Sequence, residues 1–120
     1  MHCSFCQTPS FCKKPYKLSI ESIERVLAYY KKLGIDQVII LDEKFGMFKK
    51  HTEKVVELLG KYNFYWYPLV RVDTILENFS FWNENGFNGA IIGIEAFNQE
   101  ILDDLQKKEK VEEIVNAVKK

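Results

Sequence analysis

The residues of this chain best suited to chemistry crowd into its first sixteen positions, Met-His-Cys-Ser-Phe-Cys-Gln-Thr-Pro-Ser-Phe-Cys-Lys-Lys-Pro-Tyr. All three cysteines, one of the two histidines and two of the three prolines lie there. Cys3 and Cys6 are spaced C-x-x-C, which lets two thiolates turn inward onto one metal or cluster. Such ligands are soft, anionic and tolerant of both redox states of an iron–sulfur cluster. A zinc site is the competing metal reading, drawing on His2, Cys3, Cys6 and Cys12. Thioredoxin-like dithiol exchange fits less well, because Pro9 and the lack of a preceding strand do not suit a C-x-x-C at a helix N-terminus.

A second set of chemistry-bearing groups follows apolar runs. Gln37–Leu41 leads into Asp42 and Glu43, Phe64–Val72 carries Arg71 and leads into Asp73, and Gly89–Glu95 ends in Glu95. Each run is rich in β-branched or aromatic residues and reads as a strand. Gln37–Leu41 in particular is expected to be buried on both faces, as in a parallel sheet. In parallel β/α architectures the functional edge lies at the C-terminal ends of the strands. Arg71 is expected to pair there with a substrate carboxylate or with Glu95. His51 is expected in solvent at a helix start, and the Phe64–Tyr67 aromatic run in the core and the sheet lining.

Helices must separate these strands. Leu18–Leu33 has Ile20, Ile23, Val26, Leu27 and Tyr30 at helical spacing, Ser19 as N-cap, acids early and lysines late, and Gly34 as its stop. Thr52 is expected to cap the next helix, which buries Val55, Val56, Leu58, Leu59 and Tyr62. A third spans Thr74–Asn85 and stops at Gly86. Asn98 caps a fourth running through Ile101, Leu102 and Leu105, and Val111–Val118 is amphipathic. Pro68 cannot donate to a ladder, so an irregularity or an early strand end is expected near it. Strand starts near 37, 64 and 89 recur at about 25 residues without repeated sequence, an architectural period rather than a solenoid. The expected fold is therefore α/β, with right-handed crossovers and parallel strands, in one domain over residues 1–120: a loop at 1–16 and β/α units at 17–120.

Composition bounds the rest. Hydrophobic residues make up 47 % of the 120 positions and aromatics 14 %, enough for the core of one modest domain. Seventeen basic and seventeen acidic side chains cancel, leaving no basic field for nucleic acid. Apolar runs fall far short of the ~20 residues that span a bilayer. Three clustered cysteines do not resemble a disulfide framework, which favours a reducing, cytoplasmic setting.

The loop resembles the cluster-binding loop of the radical S-adenosylmethionine (radical SAM) enzymes, C-x-x-x-C-x-x-C with an aromatic or hydrophobic residue before the last cysteine. Cys3 and Cys6 match the second and third ligands and Phe5 the aromatic. Gln7-Thr8-Pro9-Ser10 extends the match to the C-x-F-C-x-T-P-S stretch of radical SAM proteins that often carry a cobalamin-binding domain upstream. Ile40-Leu41-Asp42-Glu43-Lys44-Phe45 resembles the second-strand end of that group, where other members carry Asp-Asp-x-Phe or Gly-Gly-Glu. Gly93-Ile94-Glu95, Leu102 and Lys107/Lys108 resemble its G-x-E-(S/A)…L…K pattern, with Ala96 in place of the more usual serine.

The resemblance implies about three to four β/α units of a partial, TIM-like (β/α)6 barrel. It implies a 4Fe–4S cluster that cleaves S-adenosylmethionine, a small-molecule cofactor, reductively to a 5′-deoxyadenosyl radical that acts on a substrate the sequence does not name. A flavodoxin- or ferredoxin-like reductant joins the implied partners, and cobalamin, in an upstream domain, the implied cofactors. Cys3 and Cys6 become cluster ligands, with the first cysteine of the set expected two residues before Met1 and Cys12 left as a free thiol. Phe5 is placed over adenine, or is a local apolar anchor. Asp42 and Glu43 contact the amino group, or cap helices. Glu95 accepts from the ribose hydroxyls or the amino group, or is a salt-bridging strand-end acid. The 120-residue chain alone is expected to be inactive. The alternative is a non-catalytic β/α module with a small Cys/His zinc site.

Overall fold

The helix signals in the sequence are followed closely in the computed structural model of the chain, which describes residues 3–8 and 14–120. The elements run α1 (Ile20–Lys32), β1 (Gln37–Ile40), α2 (Lys49–Lys61), β2 (Tyr65–Pro68), α3 (Val72–Glu84), α4 (Gln99–Asp104) and α5 (Val111–Val118). Ser19 caps α1 by accepting from the Ser22 amide at 3.1 Å, and Asn98 caps α4 by accepting from the Ile101 amide at 3.2 Å. Gly34 and Gly86 end α1 and α3 with φ of +78° and +87°. Asn63 and Gln106 do the same for α2 and α4. At all four ends the next amide reaches back to a carbonyl of the last turn, as in Ile35 to Tyr30 and Lys107 to Leu102, so orphan acceptors are satisfied.

Thr52 is not a cap. It lies inside α2, which starts at Lys49 because the Thr52 amide already bonds the Phe48 carbonyl at 2.8 Å. His51, in the first turn, has Nε2 at 2.8 Å from the Leu18 carbonyl, so it ties α2 to the segment before α1 rather than standing free in solvent.

β1 and β2 pair in parallel, Gln37 with Tyr65 through Ile40 with Pro68. Among the described residues two strands form the sheet, fewer than the expected three to four units. The third strand expected over Gly89–Glu95 holds one isolated bridge, Leu69 with Ile91, and a second, Trp66 with Phe87, lies just before it. Between these bridges β2 advances three residues while its partner advances four, so the ladder slips. Pro68 is the reason. Odd residues of β2 and the residue just past it bond toward β1, as Tyr65 to the Asp36 carbonyl and Leu69 to the Ile40 carbonyl. Even ones face residues 86–91, and there Pro68 has no N–H to donate. An extra residue on the partner lets the Pro68 carbonyl accept from Ile91 instead, at 2.9 Å. β2 also ends before Val72, which starts α3. In its first turn Asp73 Oδ1 accepts from the Thr74 amide at 2.7 Å, satisfying one of the helix's free donors.

The helices cover one face of the sheet. Val38, Ile40, Trp66 and Val70 meet Leu27 of α1, Val55, Val56, Leu58 and Leu59 of α2, and Ile75 and Trp82 of α3 in one core. At its centre Phe45, Trp66, Trp82 and Phe87 stand with ring centroids 5.3 to 5.7 Å apart, and the Trp66 indole N–H donates to the Asn85 carbonyl. A smaller cluster of Val72, Leu102 and Ile114 anchors α4 and α5 to Ile92 and Ile94. The opposite sheet face is open, which corrects the expectation for β1: Ile39 is 61 % exposed and Leu41 76 %. Alternation along the strand puts these side chains on the side where no helix packs. Among the described residues no helix is long and apolar enough to cross a membrane.

Candidate functional site

The cysteine loop is held against the C-terminal edge of the sheet. The Cys6 amide donates to the Cys3 carbonyl at 3.1 Å, closing a turn with one thiol at each end. Within it, Ser4 donates through its amide (3.1 Å) and hydroxyl (3.4 Å) to the carbonyl of Leu105, just past α4. Two residues beyond Cys6, the Thr8 hydroxyl donates to Glu43 Oε2 at 2.9 Å. Cys3 is half-buried and Cys6 exposed, both as free thiols. Phe5 is about half exposed at the tip of the turn. His2 and Cys12 lie outside the described residues.

Beside this loop is a cavity of about 180 Å³, walled by Glu43, Lys44, Leu69, Arg71, Gly93, Lys107 and Glu109 among others. β1 delivers Glu43, β2 delivers Arg71, and the segment after the slipped third strand delivers Gly93. Lys107 and Glu109 come from the connection between α4 and α5, which sequence reading did not place at the site. The signal for it was Lys107 in the G-x-E…L…K pattern. Glu109 carried none, being one acid in a charged stretch. Asp42 is exposed next to Glu43 and does not line the cavity.

Glu95 sits at the rim, and its backbone is unusual. The Ala96 amide bonds the Ile94 carbonyl at 2.8 Å, so Glu95 is the centre of a three-residue turn, with φ of +65°. That is the rare, strained form of the γ-turn, costing on the order of 1–3 kcal/mol for a residue with a Cβ. Its carboxylate is held by Lys107, Nζ to Oε1 at 3.4 Å, and Lys107 also donates to the Gly93 carbonyl. The expected Arg71–Glu95 pair is therefore replaced. Arg71 instead pairs with Asp73 (3.2 Å) and Glu109 (3.4 Å) and donates to the carbonyls of Lys107 and Lys108, both at 3.3 Å. Its planar fork suits several acceptors at once.

The donor types fit an iron–sulfur cluster: two thiols on one turn, carried to an edge rich in hydrogen-bonding groups. The number does not suffice by itself. Among the described residues, no group of three or more His, Cys, Asp and Glu side chains is placed to hold a metal ion.

Comparison with known proteins decides the family. Residues 1–120 match the family model described as the radical SAM superfamily. The chain belongs to the radical SAM superfamily. It is also similar to the ribosomal protein uS12 methylthiotransferase RimO of Petrotoga mobilis (strain DSM 10674 / SJ95), 24 % identical over 132 residues. That match covers 99 % of this chain and 30 % of the relative, so the chain spans about a third of the length of the curated methylthiotransferase it resembles.

Proposed function

We propose that this chain carries the cofactor side of a radical SAM enzyme. On this reading it is a partial β/α barrel in which Cys3 and Cys6 supply two thiolates of a 4Fe–4S cluster, and the third comes from outside the described residues. The observation that carries it is the pair of tethers, Ser4 to Leu105 and Thr8 to Glu43, which bring the cysteine turn to the edge where the charged cavity opens. When bound, the cluster supplies the electron that cleaves the sulfonium carbon–sulfur bond of S-adenosylmethionine. The chain's own residues bind and orient. Glu43 accepts from the amino group, with Asp42 as the outer acid of that strand end. Glu95, aimed by its turn and by Lys107, accepts from a ribose hydroxyl or the amino group, and Phe5 covers the adenine. A flavodoxin- or ferredoxin-like protein is the reductant, in the cytoplasm. The likeness to a ribosomal protein methylthiotransferase supports group transfer to a macromolecule as the class of reaction. Cobalamin gains no support from these matches.

Anaerobic reconstitution with iron and sulfide tests the reading. Broad visible absorption that is lost in Cys3→Ala and in Cys6→Ala is the expected result. One tetrahedral zinc per chain, with no iron retained, would instead establish the zinc module.

A further inference from the structure

Two surfaces on one flank of the fold, away from the cavity, are built to be covered. The first is the outer edge of β1. The Asp36 and Ile40 carbonyls accept from Tyr65 and Leu69, so strand alternation turns the amides and carbonyls of Gln37, Ile39 and Leu41 the other way. Among the described residues no backbone group bonds them there. The edge also lacks the devices that protect an exposed strand, since Gln37–Leu41 holds no charge and no proline.

The second surface is the outer side of α1. Lys61 and Tyr62 on Glu24, and Lys31 on the Asn63 carbonyl, fix the side toward α2, and Leu27 enters the core. On the side away from α2 stand Val26, Tyr29 and Tyr30, with Leu33 just past the helix, at the spacing of one helical face. These four are between 38 % and 59 % exposed. Because α2 is the crossover from β1 to β2, the side of α1 away from α2 is also the side of β1 away from β2. Open edge and apolar stripe therefore share one flank.

The surface area agrees. The chain exposes 8328 Å², against about 6,700 Å² for a compact monomer of 14.1 kDa. The excess of about 1,600 Å² is more than the ~800 Å² that each partner gives to a standard interface.

We propose that this flank is an interface between two copies of the chain, related by a twofold axis perpendicular to the sheet. β1 pairs antiparallel with β1 of the second copy, Val38 opposite Val38, and Gln37 and Ile39 exchange both backbone bonds across the axis. This register keeps the end acids apart, whereas centring on Ile39 would set Asp36 opposite Asp42 at both ends. With the axis perpendicular to the sheet both α1 helices stay on one face, so stripe meets stripe. A second copy is the occupant because edge and stripe each complete themselves, and neither carries a charge that association would bury. The inference goes beyond the cofactor reading and does not depend on it.

The test is sedimentation equilibrium of the purified chain under reductant, so that no thiol cross-link contributes. At about 100 µM a standard interface is populated, and the wild type is expected at twice the 14.1 kDa mass. Val26→Glu sets like charges face to face and is expected to weaken association at least ~100-fold. Ile39→Pro removes an outward N–H without touching the β1–β2 bonds, and the same loss is expected. A wild type that stays monomeric leaves the flank to a strand from another segment and overturns the proposal. A dimer that keeps its affinity in either variant overturns it too. Should a variant fail to fold, hydrogen exchange on the wild type decides. Gln37 and Ile39 amides that exchange slowly when concentrated and fast on dilution support the proposal, and rates independent of concentration overturn it.

Discussion

Replacing Arg71 with leucine removes the guanidinium that joins β2's end to the α4–α5 connection. Two carbonyls, of Lys107 and Lys108, lose donors at 3.3 Å, worth about 0.5–1 kcal/mol each at that length. The larger loss falls on Glu109, whose carboxylate stays buried with only Lys107, 3.6 Å away, as a counter-charge. Removing one partner of a buried pair costs about 3–5 kcal/mol, less here because Lys107 remains. The Asp73 contact is partly exposed and adds little. The sum is about 3 kcal/mol, a sizeable part of the stability of a domain this size. Urea unfolding of Arg71→Leu should show the loss as a lower midpoint with unchanged slope. Arg71→Leu with Glu109→Leu should recover most of it, because the stranded charge is gone. A loss below about 1 kcal/mol, or a double variant no better than Arg71→Leu, would refute the view that Glu109 depends on Arg71 for its burial.

Other outcomes follow from the same structure. Trp66→Ala empties the fully buried centre of the aromatic cluster and strands the Asn85 carbonyl, so thermal unfolding should show a loss of about 3–5 kcal/mol. Gly86→Ala puts a Cβ 2.2 Å from the Phe64 carbonyl oxygen at a φ of +87°. It should destabilise by more than the ~1 kcal/mol of conformational strain alone, whereas Gly34→Ala, with open space at its Cβ, should show only that strain. Hydrogen bonds from Lys61, then Tyr62, hold the Glu24 carboxyl below the ordinary glutamate range, and Glu24 holds Lys61 above the ordinary lysine range. The pair's stabilisation is thus present at neutral pH. It is lost as pH falls through the depressed Glu24 value, and again as pH rises through the raised Lys61 value. A carbon-detected NMR titration should place Glu24 low, and Lys61→Met should return it toward the ordinary range. The unloaded 120-residue chain should yield little or no 5′-deoxyadenosine from S-adenosylmethionine under reductant, as measured by chromatography.

Much of the local structure was written in single residues. Ser19, Asn98, Gly34 and Gly86 act where their chemistry predicts, because caps and left-handed helix ends depend on a few neighbouring atoms. Pro68 announced the irregularity but not its form. Which side of β2 its missing N–H would face depends on pairing with residues far along the chain, and the expected strand at Gly89–Glu95 is reduced to a single bridge, Leu69 with Ile91. Thr52 misled because capping and burial use the same residue types, and the turn through Phe45–Phe48 starts α2 early.

The site divides in the same way. Residue types and spacing marked Cys3 and Cys6 as a candidate ligand pair and Asp42, Glu43 and Glu95 as acids after apolar runs, since those patterns are carried in sequence order. Tertiary structure decided the partners. Arg71 turned to Glu109 and Lys107 to Glu95 because ion pairs are chosen by distances of a few ångströms across the α4–α5 connection, and sequence separation does not encode those distances. It likewise took the fold to dock Ser4 on Leu105, 101 residues away, and so bring the thiols to the edge where the acids stand.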